Sequence, residues 1–178
     1  MGPRHSREEI LDAALATAFA EGLHRLTYGR VAARVGTSDR MVVYYFPTKA
    51  DLVGAVLLEL GLRLQASLAP AVTSPAADHR DLARALWPHL AHSEADPVFA
   101  LFFQATGLAA AGSAPYADLV PLLVDAWVDW AAGVLAGPAA DRRSEATAAI
   151  VLVDGLLLLR QIRGAAAADD AARRLGVA

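Results

Sequence analysis

Apolar residues recur every three or four positions along most of the chain, the period of a buried helix face, and strand-type alternation is nearly absent. Helix punctuation follows the same rhythm. A first helix is predicted over 7–21, with Ser6 and Glu9 as a capping box and Gly22 as its stop. Its apolar face is Ile10, Ala14 and Ala18 with Leu11 and Leu15 beside them, and Thr17 falls outside that stripe. A second helix starts after Thr27 and ends before Gly36. A third starts at Ser38 and ends near Phe46, because Pro47 disfavours helix at the residue before it. The fourth opens after Thr48, with Asp51 as capping partner, and reaches about residue 68 on Leu52, Val56, Leu60 and Leu64. Residues 69–78 hold two prolines and no period, and read as a connector. Five more helices are expected, over about 79–92, 97–110, 115–135, 141–163 and 169–175. Pro88 should kink or end the first of these, and Pro121 should bend the third.

The second and third helices, joined by a glycine turn, have the layout of a helix-turn-helix, which puts one helix into the DNA major groove. Val31, Ala32 and Val35 give the second helix a narrow apolar face, and Gly36 permits the tight turn. Ser38 stands as cap of the third helix, whose inward anchors are Met41 or Val42 with Tyr45 or Phe46. That leaves Asp39, Arg40, Val43 and Tyr44 to face the groove. Arg40 suits guanine O6 and N7, Val43 a thymine methyl, and Asp39 the cytosine amino group, although its charge repels phosphate. Thr27, Tyr28, Thr37, Tyr44 and Lys49 are placed to reach phosphates, with Lys49 in the first turn of the fourth helix. Arg30 and Arg34 could equally be solvated charges.

Composition sharpens this reading in two ways. The net charge of −3 is unevenly divided: residues 1–49 hold seven Lys/Arg against five Asp/Glu, and the remainder nine against fourteen. A basic head on an acidic body fits a local DNA footprint. Several other functions lose support. Cysteine is absent, which excludes disulfides and thiolate metal sites. The five histidines form no metal-ligand spacing, although His89 and His92 are three apart. There is no GxSxG, P-loop or GxGxxG, so neither an enzyme nor a bound cofactor or metal is expected. Hydrophobic residues make up 56% and mean hydropathy is +0.36, yet the longest apolar run, 148–159, is broken by Asp154. No uninterrupted run reaches the ~18–20 residues of a membrane span. The N-terminus lacks an apolar signal core, so a cytoplasmic protein without membrane contact is expected.

The segment from Arg4 to Leu58, above all VAARVGTSDRMVVYYFPTKADLVGAV, resembles the TetR family of bacterial transcriptional regulators. The shared pattern is a helix, a Val-Gly-Thr-Ser turn, aromatics ending in Phe, and Lys and Leu opening a long helix. The resemblance implies an all-α homodimer: a helix-turn-helix DNA-binding domain at 1–47 and a helical ligand-binding and dimerisation domain at 48–178, with the fourth helix as connector. It implies a regulator, expected to be a repressor, released from a palindromic double-stranded operator by a small-molecule inducer. Two positions depart from the pattern. Val43 stands where the family usually has Tyr, and Tyr45 where it often has His, so Tyr44 is the candidate to replace the usual tyrosine–phosphate contact.

In the body, aromatic residues gather at Trp87, at Phe99, Phe102 and Phe103, and at Trp127 and Trp130. With Gln104 and Asp154 they form the candidate ligand set, Trp130 excepted; core packing explains any single aromatic equally well. Asp154 interrupts an apolar helix face and needs a partner such as Arg84, a cationic ligand, a place at the dimer interface, or solvent at the edge of the stripe. The helix over 141–163 is apolar on more than one face and is a dimer candidate, as is the helix before it. Trp130, Val153, Leu157 and Arg160 are the expected interface residues.

Overall fold

The computed structural model describes residues 5–178; Arg4, where the resemblance begins, lies outside the described residues. Among the described residues there are nine α-helices and no strand. They are α1 (Arg7–Glu21), α2 (Tyr28–Val35), α3 (Asp39–Tyr45), α4 (Lys49–Leu68), α5 (His79–Leu90), α6 (Asp96–Ala110), α7 (Tyr116–Gly133), α8 (Ala139–Arg163) and α9 (Ala165–Arg174). Short 3-10 turns follow α1 at Leu23–Arg25 and α4 at Ala69–Ala71. Contacts gather the chain into two compact units. One holds the residues up to Leu62 with Leu101–Val120; the other holds Arg63–Ala100 with Pro121–Ala178.

The first unit contains the three helices of the head. Ile10 from α1, Val31 from α2, Val42 from α3 and Leu52, Val53 and Val56 from α4 are wholly buried, with Leu23 and Leu26 from the connection between α1 and α2. Each such side chain contributes about 1.5–3 kcal/mol by leaving water. The helix ends follow from local chemistry. Ser6 and Glu9 form the capping box of α1, and Thr48 and Asp51 the corresponding pair at α4, where the Thr48 N–H donates to Asp51 at 2.9 Å and the Asp51 N–H to Thr48 at 3.1 Å. Gly36 ends α2 in the left-handed region at φ 74°, and the Thr37 N–H then closes onto the Ala32 carbonyl at 2.9 Å. Thr17 is a correction to the apolar stripe of α1: it is 0% exposed. Its hydroxyl donates back to the Ala13 carbonyl at 2.7 Å, which satisfies the polar group inside the core.

Lys49–Ala71 is long and apolar enough to cross a membrane by length and composition alone, a property hidden in the sequence because charges interrupt the run. In this fold Leu52, Val53, Val56, Leu57 and Leu60 of that segment are buried side chains.

The second unit is organised around α8, against which α5 and α9 pack. Asp78 caps α5 by accepting from the Arg80 and Asp81 N–H groups, both at 2.9 Å. α5 continues past Pro88 and ends at Leu90, within one turn of the proline. α9 starts four residues earlier than its sequence suggests, at Ala165. Gly164 at φ 86° is enough to separate it from α8, and the alanines after it are strong helix formers. Ala76 and Leu135 form an isolated parallel bridge, which ties the connector after α4 to the end of α7. Asp96, at the start of α6, accepts from Arg160 at 2.6 and 3.1 Å, and its carbonyl accepts from Gln161 at 2.9 Å.

Asp154 is the anomaly of this unit. It is half-buried, and among the described residues no hydrogen bond or ion pair reaches it. Arg84, the partner its sequence suggested, is taken by Asp81 at 2.6 Å and by the Gly176 carbonyl at 2.9 Å. Burial pushes the Asp154 carboxyl up to about 6. The folded value thus lies above the unfolded one, and between them the folded chain keeps a proton that the unfolded chain has released. Asp154 therefore costs nothing below the unfolded value, and its penalty grows as pH rises through about 6. Asp154→Asn is expected to stabilise the protein by up to about 3 kcal/mol at pH 7.5 and to leave it unchanged near pH 4, as measured by thermal unfolding at the two pH values. Destabilisation at pH 7.5 would mean that the carboxylate has a partner.

Candidate nucleic-acid interface

α3 is seven residues long and is oriented by two side chains. Val42 is 0% exposed and Phe46, its C-terminal cap residue four positions on, is 1% exposed. These are the inward anchors; Met41 and Tyr45, the other candidates, are half-buried. Arg7 lies over the Phe46 ring at 5.0 Å, and the Tyr45 hydroxyl donates to the His5 carbonyl at 3.1 Å, so His5 and Arg7 are fastened to the back of α3. On the outer side Arg40 is exposed, Val43 is 39% exposed and Tyr44 is 75% exposed. Tyr44 packs edge-on against Tyr45 at 5.0 Å, which braces a side chain that is otherwise in water.

The surrounding polar groups divide into engaged and free. Arg30 pairs with Glu21, and Arg34 donates to Thr17 at 3.0 Å and lies 3.8 Å from Glu21. Both arginines of α2 are thus clamped to α1, an arrangement that sequence spacing does not reveal. Ser38 occupies the cap position of α3 but makes no side-chain capping bond. Thr27 spends its hydroxyl oxygen on the Arg30 N–H at 3.4 Å. Tyr28 is half-buried, and its phenol is raised by burial and by the nearby Asp51 carboxylate, which keeps it a neutral donor. Thr37 is half-buried, and Lys49 is exposed at the N-terminus of α4. Asp39 is exposed at the start of α3, with its carboxylate oxygens 3.6 and 3.8 Å from where a Cβ on Gly29 would stand. It therefore lies beside the first turn of α2, where the positive helix end favours it.

The candidate ligand residues separate between the two compact units. Trp87 and Phe99 are buried and Trp127 and Asp154 half-buried in the second unit. Trp127 packs edge-on with Trp130 at 5.4 Å. Phe102, Phe103 and Gln104 belong to the first unit. Phe102 and Phe103 touch at 5.3 Å, and Gln104 is bonded to the turn after α1. His89 and His92 are exposed, and among the described residues no group of three or more acidic or histidine side chains could hold a metal.

The expected dimer residues also shift. Val153 and Leu157 are 7% and 1% exposed and serve the chain's own core, and the side chain of Arg160 is spent on Asp96. Trp130 is half-buried. The apolar side chains that α8 does expose are Val151, Leu158 and Ile162, and α7 adds Leu122 and Val124. The difference is one of phase: Val153 and Leu157 lie roughly half a turn around α8 from the exposed stripe.

Residues 10–56 match the family described as bacterial regulatory proteins, tetR family. No curated protein matches the chain. Among solved structures, a TetR-family transcriptional regulator from Rhodococcus sp. superposes with a TM-score of 0.76 at 18% identity, over 97% of this chain and 98% of that one. The multidrug binding protein EbrR complexed with malachite green gives 0.69 at 24% identity, over 97% and 96%. EbrR complexed with proflavin gives 0.66 at 23% identity, over 96% of each chain. The head segment and the fold agree: residues 10–56 match the tetR-family head, and the chain shares the fold of solved TetR-family regulators.

Proposed function

We propose that the protein is a cytoplasmic homodimeric repressor that leaves a palindromic operator when a small molecule binds its helical body. The observation that carries the DNA-reading part is the outer face of α3. Arg40, Val43 and Tyr44 stand in water there, opposite Val42 and Phe46 in the core, with the uncommitted Ser38 hydroxyl at the helix start. Arg40 reads guanine and Val43 a thymine methyl. Tyr44, Ser38, Thr37, Thr27, Tyr28 and Lys49 hold phosphates, and Asp39 tunes the charge of this surface. The reading domain is 1–47, and 48–178 carries ligand and partner.

The stripe Val151, Leu158, Ile162 supports the dimer. An apolar face that folding leaves exposed on a long helix suits a twofold mate, and twofold symmetry suits a palindrome with half-sites about one helical turn apart. Two solved relatives and one residue here support an inducer class. Proflavin and malachite green, bound by EbrR, are aromatic cations, and the second unit of this chain holds an unpaired carboxylate, Asp154, together with Trp87, Phe99 and Trp127. A cationic aromatic ligand would neutralise Asp154 and stack on tryptophan. Its binding must favour one arrangement of the two heads over the other, since equal affinity for both shifts nothing.

Three outcomes are expected. Arg40→Ala weakens operator binding by about 1–3 kcal/mol and barely alters scrambled duplex, whereas Lys49→Ala weakens both and lowers the salt slope by about one, in fluorescence anisotropy across a salt series. Unchanged binding in both variants would favour a helical scaffold over a DNA reader. Leu158→Glu converts the dimer to a monomer by sedimentation and lowers operator affinity by on the order of a hundredfold; a variant that remains dimeric places the interface elsewhere. Proflavin quenches tryptophan fluorescence, and Asp154→Asn weakens that binding by about tenfold at pH 7.5, whereas equal affinity in the variant removes Asp154 from the ligand site.

A further inference from the structure

The connection between α1 and α2 is gripped from outside the helix-turn-helix. α1 ends at Glu21, and the Leu23 N–H lies beyond the last amide of that helix. Gln104 of α6 takes it: its Oε1 accepts from the Leu23 N–H at 2.7 Å. The other end of the same amide, Nε2, stands 3.2 Å from His24 Nδ1, to which it donates. The Leu23 carbonyl, already bonded to the Leu26 N–H at 3.2 Å, also accepts from the Tyr116 hydroxyl at 3.4 Å. Tyr116 is buried, and the Leu23 side chain is wholly so. All of these residues lie in one compact unit.

Gly22 makes the approach possible. Its φ is 84°, and a Cβ there would stand 3.0 Å from His24 Nδ1 and 3.3 Å from Gln104 Nε2. The turn is therefore bare on the side where Gln104 enters. Downstream, the turn leads through Leu26, itself wholly buried, into Thr27 and Tyr28, the first phosphate-facing residues of α2. A displacement of Leu23 moves the N-terminus of α2, and with it the helix on which α3 rests.

We propose that Gln104, supported by Tyr116, is a positioning residue for DNA reading: it fixes the α1–α2 turn and so sets the pose of α2 and α3 on the operator. The proposal rests on the DNA-reading assignment above. It also gives Gln104 a role other than the ligand contact its sequence position suggested. Without Gln104 the amide of the wholly buried Leu23 loses its acceptor, which costs more than a hydrogen bond contributes on average.

The test uses the full-length protein and Gln104→Ala, Gln104→Glu and Tyr116→Phe. Gln104→Glu keeps an acceptor for the Leu23 N–H and offers a second oxygen to the Nδ1–H tautomer of His24. Tyr116→Phe removes only the hydroxyl. Two readouts are taken: hydrogen exchange at the Leu23 amide, and affinity for operator and scrambled duplexes over a salt series. Gln104→Ala is expected to speed Leu23 exchange and to weaken operator binding about tenfold, with scrambled binding and salt slope unchanged because no phosphate contact is lost. Gln104→Glu restores both readouts, and Tyr116→Phe shows a smaller effect of about threefold. A merely structural role would lower the fraction of folded, active protein and leave the affinity and specificity of the remainder as in wild type; that result overturns the proposal. Unchanged Leu23 exchange in Gln104→Ala overturns it as well. If wild type itself shows no preference for operator, the DNA-reading assignment fails, and the positioning role falls with it. If wild type binds operator and Gln104→Ala binds equally, only the positioning role fails.

Discussion

A helix of seven residues has no independent existence in water, because nucleation is unfavourable and so few hydrogen bonds follow it. α3 exists because Val42 and Phe46 are buried, and the outer face proposed to read DNA depends on that burial. Two anchors four residues apart fix both the position and the rotation of the helix. Rotation decides which side chains reach water, so the core of the head and the composition of its outer surface are one decision. Arg40, Val43 and Tyr44 point outward because Val42 and Phe46 point inward.

The same economy explains the charges. The two arginines of α2 are held by Glu21 and Thr17, and the single lysine of the chain is left exposed at the start of α4. The excess of positive charge in residues 1–49 is small, and two of its arginines, Arg30 and Arg34, are turned toward Glu21 of α1. Specific groups placed around α3 matter more here than net charge.

Local rules made the helices legible. Capping residues, Gly22, Gly36 and the helical period located the elements to within a few residues, because each of these signals acts over one turn. The face of a long helix was less legible. On α8, apolar residues occur at nearly every angle, so sequence could not say which of them fold inward; Val153 and Leu157 do, while Val151, Leu158 and Ile162 do not. Long-range polar contacts were not legible at all. Gln104 and Leu23 are 81 positions apart, and nothing in either neighbourhood marks the pair. Asp154 lies between these cases: its oddity was visible as a charge in an apolar run, but the absence of Arg84 as its partner required three dimensions.

The central claim is that an exposed reading face on α3, presented twice by a symmetric dimer, recognises a palindrome. Fluorescence anisotropy of the protein on its own upstream intergenic DNA, with scrambled duplex as control and stoichiometry determined under tight-binding conditions, tests it most directly. The account predicts sequence-dependent binding at two protomers per site, with a preference that survives added salt. Binding that is equal on both duplexes and disappears with salt would show phosphate attraction alone and would contradict the claim.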